Sequence, residues 1–235
     1  MIGTLNEGPL HRDIKAHYRA RLEAAAQPVQ EEVPVGTFVA DLLAGNQIVE
    51  VQTGKLGKLR RKLDALLDGY RLLVVYPVAV HRYLVKLSPD ADGTFQRRRS
   101  PRHGSRLTLL DELVSIPDLL SHPNFELDVL LIEEETIREY VPKARRGRGG
   151  WQTRERRLVQ VLDTERVAGL ADLWSWLPED PAEPFGTAEL AQCLSCSREV
   201  ARKYAYCLRE GGALTLAGKT GNSLLYRRAA PGAER

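Results

Sequence analysis

The chain has 235 residues, 43% hydrophobic and 28% charged, which fits a folded protein of one large or two smaller domains. Charge is unevenly spread: up to Tyr140 there are 18 Lys and Arg against 20 Asp and Glu, and after it 16 against 11, so the positive excess belongs to the second part. No apolar run reaches the roughly 18 residues needed to cross a bilayer, and the first residues lack a basic-then-apolar signal pattern, so a cytoplasmic protein without a membrane partner is expected.

Taken in order, Leu10, Ile14, Tyr18 and Leu22 recur every four residues and predict a helix with one narrow apolar stripe, started by Pro9 in its first turn. Glu31 to Val35, Thr37 to Leu43 and Gln47 to Thr53 read as three strands. Their short connections, at Gly36 and Gly45-Asn46, make an antiparallel meander. Within it Asp41 shares a face with Val39 and Leu43, and Glu50 and Gln52 share the face of Ile48. A carboxylate in a half-buried strand loses hydration, so it is paired, protonated or bound to a metal. Two of them on adjacent strands can converge on one cation. A solvent-facing strand with a turn-capping Asp would produce the same letters.

Leu56, Leu59, Leu63, Leu66, Leu67 and Tyr70 then repeat at helical spacing, with Lys55, Lys58, Arg60, Arg61 and Lys62 on the other faces. The apolar run from Arg71 to Val80 predicts a strand covered on both faces. The expected fold class is therefore α/β, a mixed sheet with flanking helices.

The order αβββαβ, with Asp41 in the second strand and Glu50-x-Gln52 in the third, resembles the PD-(D/E)XK nuclease superfamily over roughly Thr4 to Val80. On that resemblance Asp41 and Glu50 hold a Mg²⁺ or Mn²⁺ ion, Gln52 stands where Lys is usual, and Glu7 matches an acid that some branches carry near the first helix. Ala40 departs from the usual Pro. Such an ion activates water and neutralises charge on a phosphate, and hard oxygen ligands suit Mg²⁺. Gln52 can orient water but brings no charge, so a cation must come from elsewhere, with Lys55 and Lys62 the nearest in sequence.

Tyr83 to Leu87 suggests an extra strand. Arg97, Arg98, Arg99, Arg102 and Arg106 crowd a segment without acids, read as a loop that meets phosphates. Leu107 to Leu120 reads as a short helix, Phe125 to Ile132 as a strand, and Glu133 to Glu135 as an exposed acidic end. Lys143, Arg145, Arg146 and Arg148 lie among glycines and mark a basic linker, 141–152, between a domain at 1–140 and another at 153–235.

In the second part, Thr153 to Leu162 and Ala168 to Leu177 are expected helices. After the prolines, Glu189 to Leu194 makes a short helix, Ser195-Cys196-Ser197 a turn ending in an N-cap, and Arg198 to Glu210 a longer helix stopped by Gly211-Gly212. A hairpin of Ala213 to Leu216 and Ser223 to Arg227 follows. This succession looks like a winged helix-turn-helix domain, which implies that Arg198, Arg202 and Lys203 approach bases while Lys219 and Arg209 meet phosphate. Cys193, Cys196 and Cys207 fit small packing thiols; a zinc site would want a fourth ligand, and no His follows Tyr140.

Together these readings lead to a metal-dependent DNA endonuclease with a winged-helix DNA-binding domain, acting as a homodimer or with a partner protein of a repair, restriction or mobile-element system. The alternatives are a DNA-binding protein on a nuclease-like fold that does not cut, and an RNA-processing nuclease.

Overall fold

The computed structural model describes residues 7–87, 95–142 and 150–229, and the chain divides into two compact units. The first comprises Met1–Thr53, Val75–Arg106 and Val129–Glu165; the second comprises Gly54–Val74, Leu107–Asp128 and Arg166–Arg235. The division does not follow the expected linker at 141–152, which falls inside the first unit's 129–165 span. Lys143, Arg145, Arg146 and Arg148 lie outside the described residues.

Helix α1 (Pro9–Ala24) precedes β1 (Val29–Val35), β2 (Phe38–Ala44) and β3 (Gln47–Val51), matching the expected succession. The three strands are antiparallel, with Val33 opposite Ala40 and Leu42 opposite Val49. The β2–β3 turn needs Gly45, whose φ of 57° is left-handed. α1 lies against all three strands, burying Leu10, Ile14 and Tyr18. Each such apolar side chain removed from water contributes about 1.5–3 kcal/mol. After α2 (Arg60–Leu66) comes β4 (Arg71–Leu87), one strand of 17 residues where two were expected. β5 (Phe95–Arg99) pairs antiparallel with its end, Val85 opposite Arg97, so the arginine run is in part a strand. A one-turn α3 (Leu110–Leu113), flanked by 3₁₀ turns, occupies the expected 107–120 helix.

β6 (Phe125–Val141) is twice as long as expected, and β7 (Gly150–Val167) is a strand where Thr153 to Leu162 had suggested a helix. The sheet order is β1-β2-β3-β4-β6-β7, with β5 attached to β4, which leaves β7 an edge. The acidic stretch also departs from expectation. Strand alternation turns Glu134 inward, with no exposed side-chain area, while Glu133 and Glu135 stay half-buried. Its Oε1 accepts from Arg82 Nε at 2.5 Å and from Thr136 Oγ1 at 3.2 Å, and its Oε2 accepts from Arg156 Nε at 3.0 Å. Burial alone would raise the Glu134 pKa, but these bonds and the two guanidinium charges hold it below the ordinary value of 4.5.

The second unit follows its sequence closely. α4 (Leu170–Trp174), α5 (Thr187–Cys193) and α6 (Arg198–Glu210) are succeeded by a hairpin of β8 (Leu214–Thr220) and β9 (Ser223–Arg228). Ser197 caps α6 by accepting the Val200 N–H at 3.3 Å, and Glu189 accepts the Gly186 N–H at 2.9 Å ahead of α5. α6 packs on α3, α4 and α5 through Ala201, Tyr204, Ala205 and Leu208, all fully buried, and the Tyr204 hydroxyl donates to the Leu173 carbonyl at 2.8 Å. Cys207 is buried too, and burial pushes its thiol up to about 12, so it is a packing group and not a nucleophile at neutral pH. Among the described residues no helix is long and apolar enough to cross a membrane.

Candidate functional site

The sequence places a cross-strand pair of acids on β2 and β3, and the register of the hairpin brings them together. Leu42 is opposite Val49, and one step further the carboxylates of Asp41 and Glu50 replace the ladder: Glu50 Oε1 accepts the Asp41 N–H at 3.2 Å, and Asp41 Oδ2 accepts the Val51 N–H at 2.8 Å. Glu50 is 4% exposed. Gln52 continues β3, its N–H donating to the Val75 carbonyl at 2.9 Å.

α1 brings a third group. His11 Nε2 lies 3.2 Å from Asp41 Oδ2, and His11 Nδ1 lies 3.3 Å from Glu7 Oε1. That second approach is within ion-pair distance but is not a hydrogen bond, and Nδ1 is a buried polar atom without a hydrogen-bond partner. Lys15, one turn further along α1, is 7% exposed and donates to Glu7 at 3.0 Å and to Glu32.

The electrostatics follow from this packing. Burial pushes the His11 pKa down, but the hydrogen bond to Asp41 and the charges of Asp41 and Glu7 outweigh burial and the Lys15 charge, so it ends above 6.5. Lys15 is likewise lowered by burial and raised further by its bonds to Glu32 and Glu7.

Glu7, His11 and Asp41 each offer a ligand atom, and these atoms lie within 4.8 Å of one another. Glu50 lies outside that group but next to it, its carboxylate accepting the Asp41 N–H, while Glu7, the acid that the resemblance places near the first helix, joins Asp41 in it. The set fits a divalent cation in kind: two carboxylates and one imidazole whose Nδ1 is left without a hydrogen bond. Imidazole among the donors suits Mn²⁺ or Zn²⁺ better than Mg²⁺, which prefers oxygen throughout. A protonated imidazole cannot ligate, so ion binding at His11 competes with a proton. The sequence reading does not single out His11, which lies off the apolar stripe of α1; its i, i+4 spacing from Glu7 is the available signal.

The remaining candidates are distributed as follows. Lys55 and Lys62 belong to the second unit, Lys55 exposed before a 3₁₀ turn and Lys62 half-buried on α2. On β5, Arg97 donates to Glu135 at 2.7 Å and lies 3.6 Å over the Tyr83 ring, while Arg99 sits 2.6 Å from His81 Nδ1. Arg98 and Arg102 are exposed. In the second unit Arg198 and Arg202 are exposed on α6, and Arg202 Nε donates to the Arg198 carbonyl at 3.3 Å. Lys203 instead turns to Asp111 at 2.8 Å and Glu199 at 2.9 Å, so it is held as an ion pair and not presented beside Arg202. Tyr206, which sequence reading left out, is 40% exposed one turn beyond Arg202, with Arg209 beside its ring at 5.7 Å. Lys219 is exposed on β8.

Residues 8–168 match the pattern of a family described as Domain of unknown function (DUF8091), from the cap of α1 to the residue after β7. A Treponema pallidum (strain Nichols) protein named "Uncharacterized protein" is 31% identical over 236 residues, covering 100% of this chain and 90% of that protein. No solved structure matches. The family match takes in well over half of the sequence, and the chain belongs to the DUF8091 family.

Proposed function

We propose that this protein is a metal-dependent DNA endonuclease, with a PD-(D/E)XK-like site in the first unit and a winged helix-turn-helix DNA-binding region in the second. The observation that carries the reading is the convergence of Glu7, His11 and Asp41 within 4.8 Å, beside a buried Glu50 on the neighbouring strand. A bound Mn²⁺ or Mg²⁺ would make water nucleophilic near neutral pH and offset charge growing on a phosphate.

This chain's own residues have separate tasks in that chemistry. Asp41, Glu7 and, once deprotonated, His11 supply the ligand atoms. The Val51 N–H fixes the Asp41 carboxylate, and the Asp41 N–H fixes that of Glu50, so both acids are oriented by the backbone. Lys15 holds Glu7 against α1. Gln52, directly after β3, can orient water through its amide. In the second unit Arg198, Arg202 and Tyr206 form one exposed stripe of α6 at helical spacing, which supports contact with a DNA groove, and Lys219 supports contact with phosphate.

The test is nicking of supercoiled plasmid in Mn²⁺ or Mg²⁺ by wild type, Asp41→Ala and Glu50→Ala. Cutting by wild type and not by the variants supports the reading. Gln52 at the position where a Lys would stabilise charge favours the second reading, a DNA-binding protein that does not cut. That reading is supported if all three proteins bind DNA and none nicks it.

A further inference from the structure

The far end of the sheet in the first unit carries a feature that the hydrolytic site does not use. Strand alternation puts Arg82, Leu84 and Lys86 of β4 on one face, and the β4–β5 register adds Arg98, opposite Leu84. On β6 the same alternation aligns Glu134 with Arg138 and Tyr140. Glu134, the acid of this set, is buried and engaged by Arg82 and Arg156.

Beyond it the face is cationic and aromatic. Tyr140, at the end of β6, is 43% exposed. It is also held in place: its ring meets that of Trp151 edge-on, at 5.8 Å between centroids and 70° between planes. Trp151 is fixed in turn, with Lys86 Nζ 4.7 Å from its ring and its carbonyl accepting from Arg138 Nη2 at 2.7 Å. An aromatic kept rigid and half open, with Lys86, Arg98 and Arg138 on the same face, suits a flat apolar ring joined to a repeating anion.

We propose that this face, centred on Tyr140 and Trp151, is a binding site for single-stranded nucleic acid, in which a base stacks on Tyr140 while Lys86, Arg98 and Arg138 meet the flanking phosphates. Stacking on an aromatic is indifferent to sequence, because every base has a π face, and duplex bases already stacked on each other cannot use it. The inference rests on the reading that the partner is nucleic acid. It adds that the preferred substrate has an unpaired strand, such as a flap, fork or gap.

The test measures fluorescence anisotropy of a labelled oligothymidylate of about 20 nucleotides, and of a duplex of equal length, with the full chain as wild type, Tyr140→Ala and Tyr140→Phe. Wild type binds the single strand, Tyr140→Ala binds it about tenfold more weakly, and Tyr140→Phe, which keeps the ring, retains affinity. Duplex binding is the same in all three. Equal single-strand affinity for wild type and Tyr140→Ala overturns the proposal, as does a wild type that binds duplex and ignores the single strand. Plasmid nicking, run on the same samples, separates the two readings. Tyr140-dependent binding without nicking leaves this site standing and removes the nuclease; nicking without Tyr140 dependence does the reverse.

Discussion

Glu134 and Asp41 are both inward-facing acids of the first unit, on β6 and β2, and they have been given different partners. Glu134 meets Arg82 and Arg156, whose guanidinium groups do not lose their protons in a protein. Its charge is permanently matched, its pKa is held down, and the arrangement has one state. Asp41 meets His11, whose charge can leave, and beyond His11 stands Glu7. On the proposed function that region would exchange a proton on imidazole for a metal ion held by the same acids and the imidazole. A buried carboxylate therefore reads as structural or as poised according to whether its partner can be exchanged.

Asp41→Ala breaks the comparison most sharply. Metal-dependent nicking should vanish while the fold survives, to be checked by plasmid cleavage alongside a thermal unfolding curve. A variant as active as wild type would place Asp41 in the structural class with Glu134.

Next in size is Glu134→Ala, which leaves two arginines facing a site built for an acid. Loss of about 3 kcal/mol of stability is expected, the low end for a broken buried pair because the arginines are partly exposed. Urea unfolding measures it, and a change below about 1 kcal/mol would contradict the assignment.

The pH dependence sharpens the same point. The folded pKa of Glu134 lies below its unfolded value near 4.5, so its contribution is complete above that pH and drains away as pH falls through the folded value. The gap in melting temperature between wild type and Glu134→Gln should accordingly be constant near neutrality and close in acid. A gap that persisted at low pH would show that the charge is not what stabilises.

The smallest effects concern the second unit. Arg202→Ala should weaken duplex DNA binding about tenfold at low salt and make binding less salt-dependent, since a phosphate or base contact through Arg releases counterions. Ser197→Ala, which removes the cap of α6, should cost about 1 kcal/mol and leave the exposed Arg202 and Tyr206 in place.

What could be read from the letters divides along the same lines. α6 was legible from end to end, because Ser197, the Val200, Tyr204 and Leu208 spacing and Gly211-Gly212 are local signals that agree. The β1–β3 meander was legible through Gly36, Gly45 and the alternation around Asp41. β7 was not. Leu158, Val161 and Leu162 fit helical spacing and their neighbours are good helix formers, so only pairing within the sheet makes the segment a strand. Glu134 was lost for a similar reason: three consecutive glutamates look like a solvated end, and its arginines stand 52 and 22 residues away. His11 completes the candidate site from α1, and one sequence position could not reveal that its ring reaches a strand 30 residues later.

Whether Glu7, His11 and Asp41 hold a divalent ion is tested, without reference to cutting, by calorimetric titration of Mn²⁺ into wild type, His11→Ala and Asp41→Ala. Wild type should bind one ion, more tightly as pH rises and less proton competes for His11, and either variant should bind little or none. No binding by wild type, or equal binding by all three, would contradict it.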